Sequence, residues 1–139
     1  MWNPWRTIRA RPDITVRWRR LDGRLGEWCE RTRTMTLDPR QLQSERRVTA
    51  THEAIHAERG HDGCQTDSVE LSVRKETARR CITIYALVDA ILFYGETDLP
   101  ALANELWCDL DTVQTRKDHL HPAERGYIRQ RLEARDGSP

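Results

Sequence analysis

One short segment limits the possible structures of this chain more than any other: the HExxH motif His52-Glu53-Ala54-Ile55-His56. Residues four apart lie on the same face of a helix, so the imidazoles of His52 and His56 can reach a single cation. Glu53 is rotated by about 100° from His52, which leaves its carboxylate close to that cation without binding it. The motif therefore predicts a zinc site in which Glu53 is the general base.

The residues around the motif are typical of a helix that passes through a protein core. Asp38 followed by Pro39 is a strong helix start and Gly60 suits a helix end, so we expect a helix of about six turns between them. The alternative is a surface pair of histidines on a charged helix, which would bind no metal. The small or uncharged residues that favour the core position are Thr49, Ala50, Ala54, Ile55 and Ala57.

A catalytic zinc site commonly has three protein ligands, so a third must follow the motif. A second helix is expected over residues 67–94. On a helical wheel Glu76 falls within its apolar stripe, and a carboxylate that faces the core is costly unless it is paired or binds a metal. We therefore expect Glu76 to be the third ligand. The alternative ligand is Glu70, which lies about 100° off the stripe. Glu76 could instead form a buried salt bridge with Arg80. The stripe consists of Val69, Val73, Ile84, Leu87 and Ile91.

The order of the elements predicts the fold class. Ile14, Val16 and Trp18 alternate with polar residues, which is the period-2 pattern of a half-buried strand, and residues 26–37 are expected to form one or two more. Strands followed by helices indicate an α+β domain, with a small antiparallel sheet packed on a zincin-like core formed by the two metal-binding helices. Further helices are expected at residues 99–106, at residues 111–119 and from residue 122 onward.

The 139 residues are expected to form one domain. The longest mainly apolar run, Cys81 to Tyr94, is shorter than the roughly 20 residues that cross a bilayer, and the N-terminus lacks the apolar stretch of a secretory signal. The four cysteines are widely spaced, so we expect a reducing cytoplasmic setting. The expected parts are an N-terminal arm (1–12), the sheet with the metal-binding helices (13–97) and a C-terminal helical section (98–135).

Residues 99–120 are typical of a helix-turn-helix, whose second helix could enter a DNA major groove. That helix, however, carries Asp111 and Asp118 beside two basic residues, and phosphate binding requires clustered positive charge. We therefore expect helical packing or substrate docking in this section rather than DNA binding.

Other residues have weaker claims to a place in the site. His61 could stabilise the oxyanion, or be an exposed loop histidine. Cys64 could enter the zinc coordination shell of a resting state, or be a free thiol. Residues 31–37 could form a sheet edge that holds an extended substrate, or an edge that its charges protect.

The sequence also resembles a known family. The segments TLDPRQLQSERRVTATHEAIHAERG, KETARRCI and LPALANELWCDLDTVQTRKDHLHPAERGYIRQRL are similar to the ImmA/IrrE metallo-endopeptidases, especially the short actinobacterial and phage forms. The similarity extends from about Ile14 over nearly the whole chain. It implies that His52, His56 and Glu76 bind one zinc ion and that Glu53 is catalytic.

The resemblance also implies a biological role. Members of this family cleave or inactivate a helix-turn-helix repressor, which releases genes for phage induction, mobile-element transfer or stress response. Where longer members have ExEANxFA, this chain has Lys75-Glu76-Thr77-Ala78-Arg79-Arg80-Cys81, which keeps the glutamate. We therefore expect a zinc endopeptidase with such a repressor as its substrate. The alternative is a DNA-binding or repressor-sequestering regulator with a structural metal site and no hydrolysis.

Overall fold

The fold combines a small sheet with a larger helical part, and the computed structural model describes it over residues 1–137. In this range one short helix precedes three strands, and six helices follow them. The α+β class is therefore confirmed. The strands are β1 (Thr15–Trp18), β2 (Gly26–Cys29) and β3 (Thr34–Leu37). The helices are α1 (Pro4–Arg9), α2 (Gln43–Arg59), α3 (Asp67–Cys81), α4 (Ile84–Tyr94), α5 (Leu99–Leu106), α6 (Leu110–Asp118) and α7 (Pro122–Asp136).

The sheet is mixed, so the expected antiparallel sheet is wrong. Its strand order is β1-β3-β2, in which β3 pairs with β1 in parallel and with β2 antiparallel. After β1 the chain crosses to the far side of β3, forms β2, and returns through a short turn in which Arg33 has a φ of 52°. Because β3 lies in the centre, the expectation that residues 31–37 form a sheet edge is also wrong.

One face of the sheet packs on α2. Met35 and Leu37 of β3 are fully buried, and Ala50 and Ala54 of α2 lie against them. Ile8 of α1 completes this cluster. Burial of these apolar side chains fixes the position of α2 beneath the sheet.

A buried arginine connects α2 to the rest of the protein. Arg47 is 2% exposed, and its guanidinium donates hydrogen bonds to the carbonyl oxygens of Trp2, Cys81 and Trp107 at 2.9, 2.9 and 3.0 Å. The indole of Trp2 in turn donates to Thr51 of α2 at 2.9 Å. The expected N-terminal arm is thus packed against α2.

The second expected helix is two helices. α3 ends at Cys81 and α4 begins at Ile84, because Ile82 is extended with a φ of −130° and Thr83 caps α4 by accepting a hydrogen bond from the N–H of Ala86 at 3.2 Å. Threonine is a favoured residue at this position. The apolar stripe that favoured Glu76 therefore spans two separate helices, with Val69 and Val73 in α3 and the other members in α4.

The start of α2 also differs from the expectation. Asp38 does not cap it; its carboxylate accepts hydrogen bonds from the N–H groups of Leu21 and Arg40 at 3.0 and 2.9 Å. These bonds hold the chain after β3 against the loop before β2, and α2 begins only at Gln43. Its end agrees with the expectation, since Gly60 adopts a left-handed conformation with a φ of 66°.

The C-terminal helices follow the expected ranges closely. The helices α4 to α7 form a second cluster of buried apolar residues, in which Leu87, Leu102 and Val113 are fully enclosed. Arg116 of α6 is buried and paired with Glu124 of α7, so it does not offer a charge to phosphate. None of the helices in residues 1–137 has the length and apolar character of a membrane span.

The Arg116–Glu124 pair predicts a pH-dependent contribution to stability. Hydrogen bonds from the Arg116 guanidinium, at 2.9 and 2.5 Å, lower the pKa of Glu124 from 4.5 to about 2. The contribution is therefore complete above about pH 4.5 and is lost as the pH falls towards 2. At pH 7 we expect Glu124→Gln to lower the free energy of unfolding by about 2 kcal/mol, measured by urea denaturation.

The control is Glu133→Gln, because Glu133 lies exposed on the same helix. The stability difference between Glu124→Gln and the wild type should narrow as the pH falls from 4.5 to 2. A difference that stays constant over this range, or that equals the effect of the control, would contradict the prediction.

Candidate metal centre

Three potential metal-binding side chains meet between α2 and α3. The Nε2 atoms of His52 and His56 lie 3.2 Å apart, and each lies 3.2 Å from an oxygen of the Glu70 carboxylate. The three groups offer ligand atoms that all lie within 4.8 Å of one another. Two imidazole nitrogens and a carboxylate oxygen are the ligands of one class of catalytic zinc site. This group could therefore hold a metal ion.

Helix geometry explains why Glu70 reaches the histidines. At about 100° per residue, Glu70 points within about 20° of Thr77 and Cys81, which are two of the buried residues of α3. That face packs on α2. In the sequence, Glu70 lies seven residues before Thr77 and eleven before Cys81, which places the three on one helix face. This spacing indicates the position of Glu70 only when α3 is known to end at Cys81.

Glu76, the expected third ligand, lies elsewhere. On the same wheel it is about 120° from Glu70. Its carboxylate accepts a hydrogen bond from Arg80 at 3.0 Å and pairs with Arg79. Arg80 also pairs with Glu58 of α2 at 2.7 Å. The structure thus brings Glu70 rather than Glu76 to His52 and His56. Glu76 instead forms the salt bridge with Arg80 that was its alternative role.

The surroundings of the histidines favour their neutral forms. His56 is 5% exposed and His52 is partly buried. Burial is the main cause that lowers the pKa of each imidazole, and it outweighs the opposing effect of the Glu70 carboxylate. A neutral imidazole is the form that binds a metal ion.

Glu53 lies beside this group in a position that suits a general base. Its side chain is 7% exposed. Burial, followed by the negative charges of Glu70 and Glu27, raises the pKa of Glu53 to about 8. A cation bound nearby would favour the charged form instead. Glu53, which the sequence predicts to be the general base, therefore lies next to the candidate ligands His52, His56 and Glu70 but is not one of them.

The candidate metal-binding group of His52, His56 and Glu70 opens into a cleft. Two cavities of about 430 and 420 Å³ share Arg24, Gly26, His52 and Glu53 in their walls. One extends towards Trp28 of β2 and the loop after α2, and the other towards α3 and the start of α6. The cleft thus continues on both sides of Glu53, between the edge strand β2 and the helices.

Gly26 is a site residue that the sequence did not single out. A Cβ atom at this position would lie 2.6 Å from Cγ2 of Thr49 and 3.1 Å from Cγ of Glu53. Glycine therefore allows β2 to lie directly against α2 at Glu53. No local signal could reveal this, because the contact joins two elements that are distant in sequence.

Two loop residues considered in the sequence lie near the group but outside it. His61 contacts the far side of the His56 ring, where the two Nδ1 atoms are 2.9 Å apart. Cys64 lines the cleft as an exposed free cysteine. Neither belongs to the set of ligand atoms formed by His52, His56 and Glu70.

Comparison with known proteins adds no further support. No family model, curated protein or solved structure matches this chain. The resemblance to the ImmA/IrrE family therefore stays a prediction, and the function must be argued from the geometry of the site.

The choice between the two glutamates can be tested by metal binding. We expect Glu70→Gln to lower zinc affinity by about 100-fold, because it removes the only negative charge among the three ligands. Glu76→Gln should bind zinc as the wild type does, because Glu76 pairs with Arg79 and Arg80. Affinity is measured by competition with a chromophoric chelator. Loss of zinc in Glu76→Gln but not in Glu70→Gln would contradict the structure.

The close contact at Gly26 gives a second prediction. Gly26→Ala should lower the free energy of unfolding by about 2 kcal/mol, because the added methyl group has no room against Thr49. Thr49→Ser removes the clashing Cγ2 but keeps the hydroxyl that donates to Gln41 at 2.6 Å.

The double variant Gly26→Ala/Thr49→Ser should therefore recover most of the stability lost in Gly26→Ala, with Thr49→Ser alone as the control. Thermal and urea denaturation measure the four proteins of this cycle. Additive effects of the two substitutions would show that the contact is not the cause.

Proposed function

We propose that this protein is a zinc-dependent endopeptidase that hydrolyses a peptide bond in a regulatory protein. One observation carries the proposal: a buried carboxylate, Glu53, lies beside two histidines and a glutamate whose ligand atoms converge at the wall of a cleft. This combination of one base and three metal ligands is that of a hydrolytic zinc site.

The ligand chemistry fits zinc. His52, His56 and Glu70 would hold the ion, and their number leaves a coordination position free for water or substrate. Zinc would supply a Lewis acid that lowers the pKa of water and polarises a carbonyl group. A structural zinc site, by contrast, is usually closed by four protein ligands, most often with cysteine. The three-residue group and its opening to the cleft therefore favour catalysis over a structural role.

Glu53 would carry the proton through the reaction. Its carboxylate takes a proton from the water molecule that attacks the peptide carbonyl carbon, and this proton then passes to the nitrogen of the departing amine as the C–N bond breaks. Both roles require a group that is held close to the reacting atoms and shielded from bulk water. The 7% exposure of Glu53 and the closeness of its side chain to Gly26 of β2 suit this position.

The cleft supports an endopeptidase acting on extended chains. Because it continues on both sides of Glu53, a substrate can extend in both directions from the bond to be cleaved. β2 is an edge strand, so its outer N–H and C=O groups can bind a peptide by strand addition. A peptide added to β2 would lie near Glu53, since a Cβ atom at Gly26 of this strand would be 3.1 Å from Cγ of Glu53.

The substrate class comes from the resemblance to ImmA/IrrE proteins, which implies a helix-turn-helix repressor. We propose such a repressor as the substrate and regulation of a phage, a mobile element or a stress response as the role. A flexible segment between the two domains of a repressor would fit the extended cleft.

Replacing the base tests hydrolysis separately from metal binding. Glu53→Gln should retain zinc but lower the rate of cleavage by about 10²- to 10⁴-fold, because the amide cannot accept the proton. Purified protein is incubated with candidate repressors, and fragments are detected by mass spectrometry. The control is Glu58→Gln, because Glu58 lies exposed on the same helix and pairs with Arg80.

The alternatives give different results in the same experiment. A wild-type protein that binds the repressor and leaves it intact would act by sequestration. If Glu53→Gln relieves repression in a reporter assay as well as the wild type does, hydrolysis is not required and the peptidase proposal is wrong.

A further inference from the structure

The ring of His56 has two nitrogen atoms, and each has a separate partner. Nε2 faces the metal-binding group, at 3.2 Å from both His52 Nε2 and Glu70 Oε1. Nδ1 faces away from it and lies 2.9 Å from Nδ1 of His61. The two rings are tilted by 62°, with their centroids 5.1 Å apart. His61 therefore contacts the side of His56 that a metal ion would leave free.

The end of α2 explains how His61 reaches this position. The N–H of Gly60 donates to the carbonyl of Ala57 at 3.2 Å, and the N–H of His61 donates to the carbonyl of His56 at 3.1 Å. This pair of bonds, with Gly60 in the left-handed conformation, forms a Schellman motif. Such a motif brings the side chain two positions after the last helical residue against the residue three positions before it. Here these two residues are His61 and His56.

We infer that His61 is a positioning residue that orients His56 for metal binding by accepting a hydrogen bond from its Nδ1–H. The inference rests on the proposed metal site. When Nε2 of His56 donates its lone pair to a metal ion, the ring proton must be on Nδ1. His61 then accepts this proton at Nδ1 and carries its own proton on Nε2. A metal-binding histidine almost always has such a partner, and the partner fixes both the tautomer and the orientation of the ring.

His61 is not a member of the candidate ligand group formed by His52, His56 and Glu70. Its Nδ1 is directed at Nδ1 of His56, on the side away from Nε2, while His61 also lines the cleft. His61 acts through His56.

The test compares two replacements of similar size. The Oδ1 atom of asparagine is attached at the same position as Nδ1 of histidine and can accept the hydrogen bond, whereas the δ-methyl groups of leucine cannot. We expect His61→Leu to lower zinc affinity by about 10- to 100-fold, and His61→Asn to restore it to within roughly threefold of the wild type. Affinity is measured by chelator competition, and thermal denaturation of the metal-free proteins checks that all variants fold.

A spectroscopic measurement separates positioning from direct ligation. With Co²⁺ in place of zinc, His61→Asn should keep the absorption bands of the wild type, because the metal ligands are unchanged. If His61 were itself a ligand, both variants would shift these bands and asparagine would not rescue affinity. Equal zinc affinity in His61→Leu and the wild type would also overturn the inference.

A backbone variant provides independent support. Gly60→Ala strains the left-handed residue that closes the motif, and we expect it to weaken zinc binding as His61→Leu does. Gly63→Ala is the matched control, because Gly63 has a similar φ of 68° in the same loop but does not hold His61. Equal zinc affinities in these two variants would overturn the role of the motif.

The test of His61 can fail or succeed independently of the test of peptidase activity. If His61→Leu weakens zinc binding and no peptide is cleaved by any variant, the inference stands and the peptidase proposal falls. If the wild type binds neither zinc nor Co²⁺, both fall.

Discussion

The contact between α2 and α3 is the interaction on which the candidate site depends. α2 carries His52, Glu53 and His56, but these residues make a metal site only when a third ligand reaches them. α3 supplies Glu70 because its buried face, with Val73 and Thr77, lies against α2. The Glu58–Arg80–Glu76 pairs connect the same two helices on their more exposed side. Partly exposed pairs contribute less stability than the burial of an apolar face, so the buried face is the main determinant of the position of α3.

The rest of the fold holds α2 in a fixed position. Its sheet-facing side packs on β3, and the guanidinium of Arg47 bonds to carbonyl groups in the N-terminal segment, at the end of α3 and after α5. A buried charge is tolerated only when its donors are satisfied, and here backbone carbonyls satisfy them. Removing one of these segments would leave buried donors without partners. Arg47 thus couples the position of α2 to the helical part of the protein.

The sequence predicted the parts of the structure that depend on local patterns. Helix periodicity and capping residues predict the shared face of His52 and His56, the end of α2 at Gly60, and the ranges of α5 to α7. The sequence favoured Glu76 over Glu70 because it predicted a continuous helix through Ile82 and Thr83, and the break at these residues changes which glutamate faces α2. Thr83 is a favoured capping residue and could have indicated the break.

The remaining differences are non-local. The mixed sheet depends on which side of β3 the first strand joins, and the importance of Gly26 depends on a contact between β2 and α2. Neither relation leaves a pattern within a short window of sequence. The position of His61, in contrast, can be read from the sequence once the Schellman motif at Gly60 is recognised, because the motif specifies which two side chains meet.

The electrostatics of the site connect its stability to its proposed function. Glu53 is buried, and the nearby carboxylates of Glu70 and Glu27 disfavour its charged form. Without a cation, the folded protein at neutral pH must either hold negative groups close together or bind a proton at Glu53, and both oppose folding. A divalent ion bound by His52, His56 and Glu70 would reverse this effect, because its charge favours both carboxylates in the ionised form. Metal binding and folding are therefore expected to be linked, and the same ion that stabilises the cleft would keep Glu53 in the form that can accept a proton.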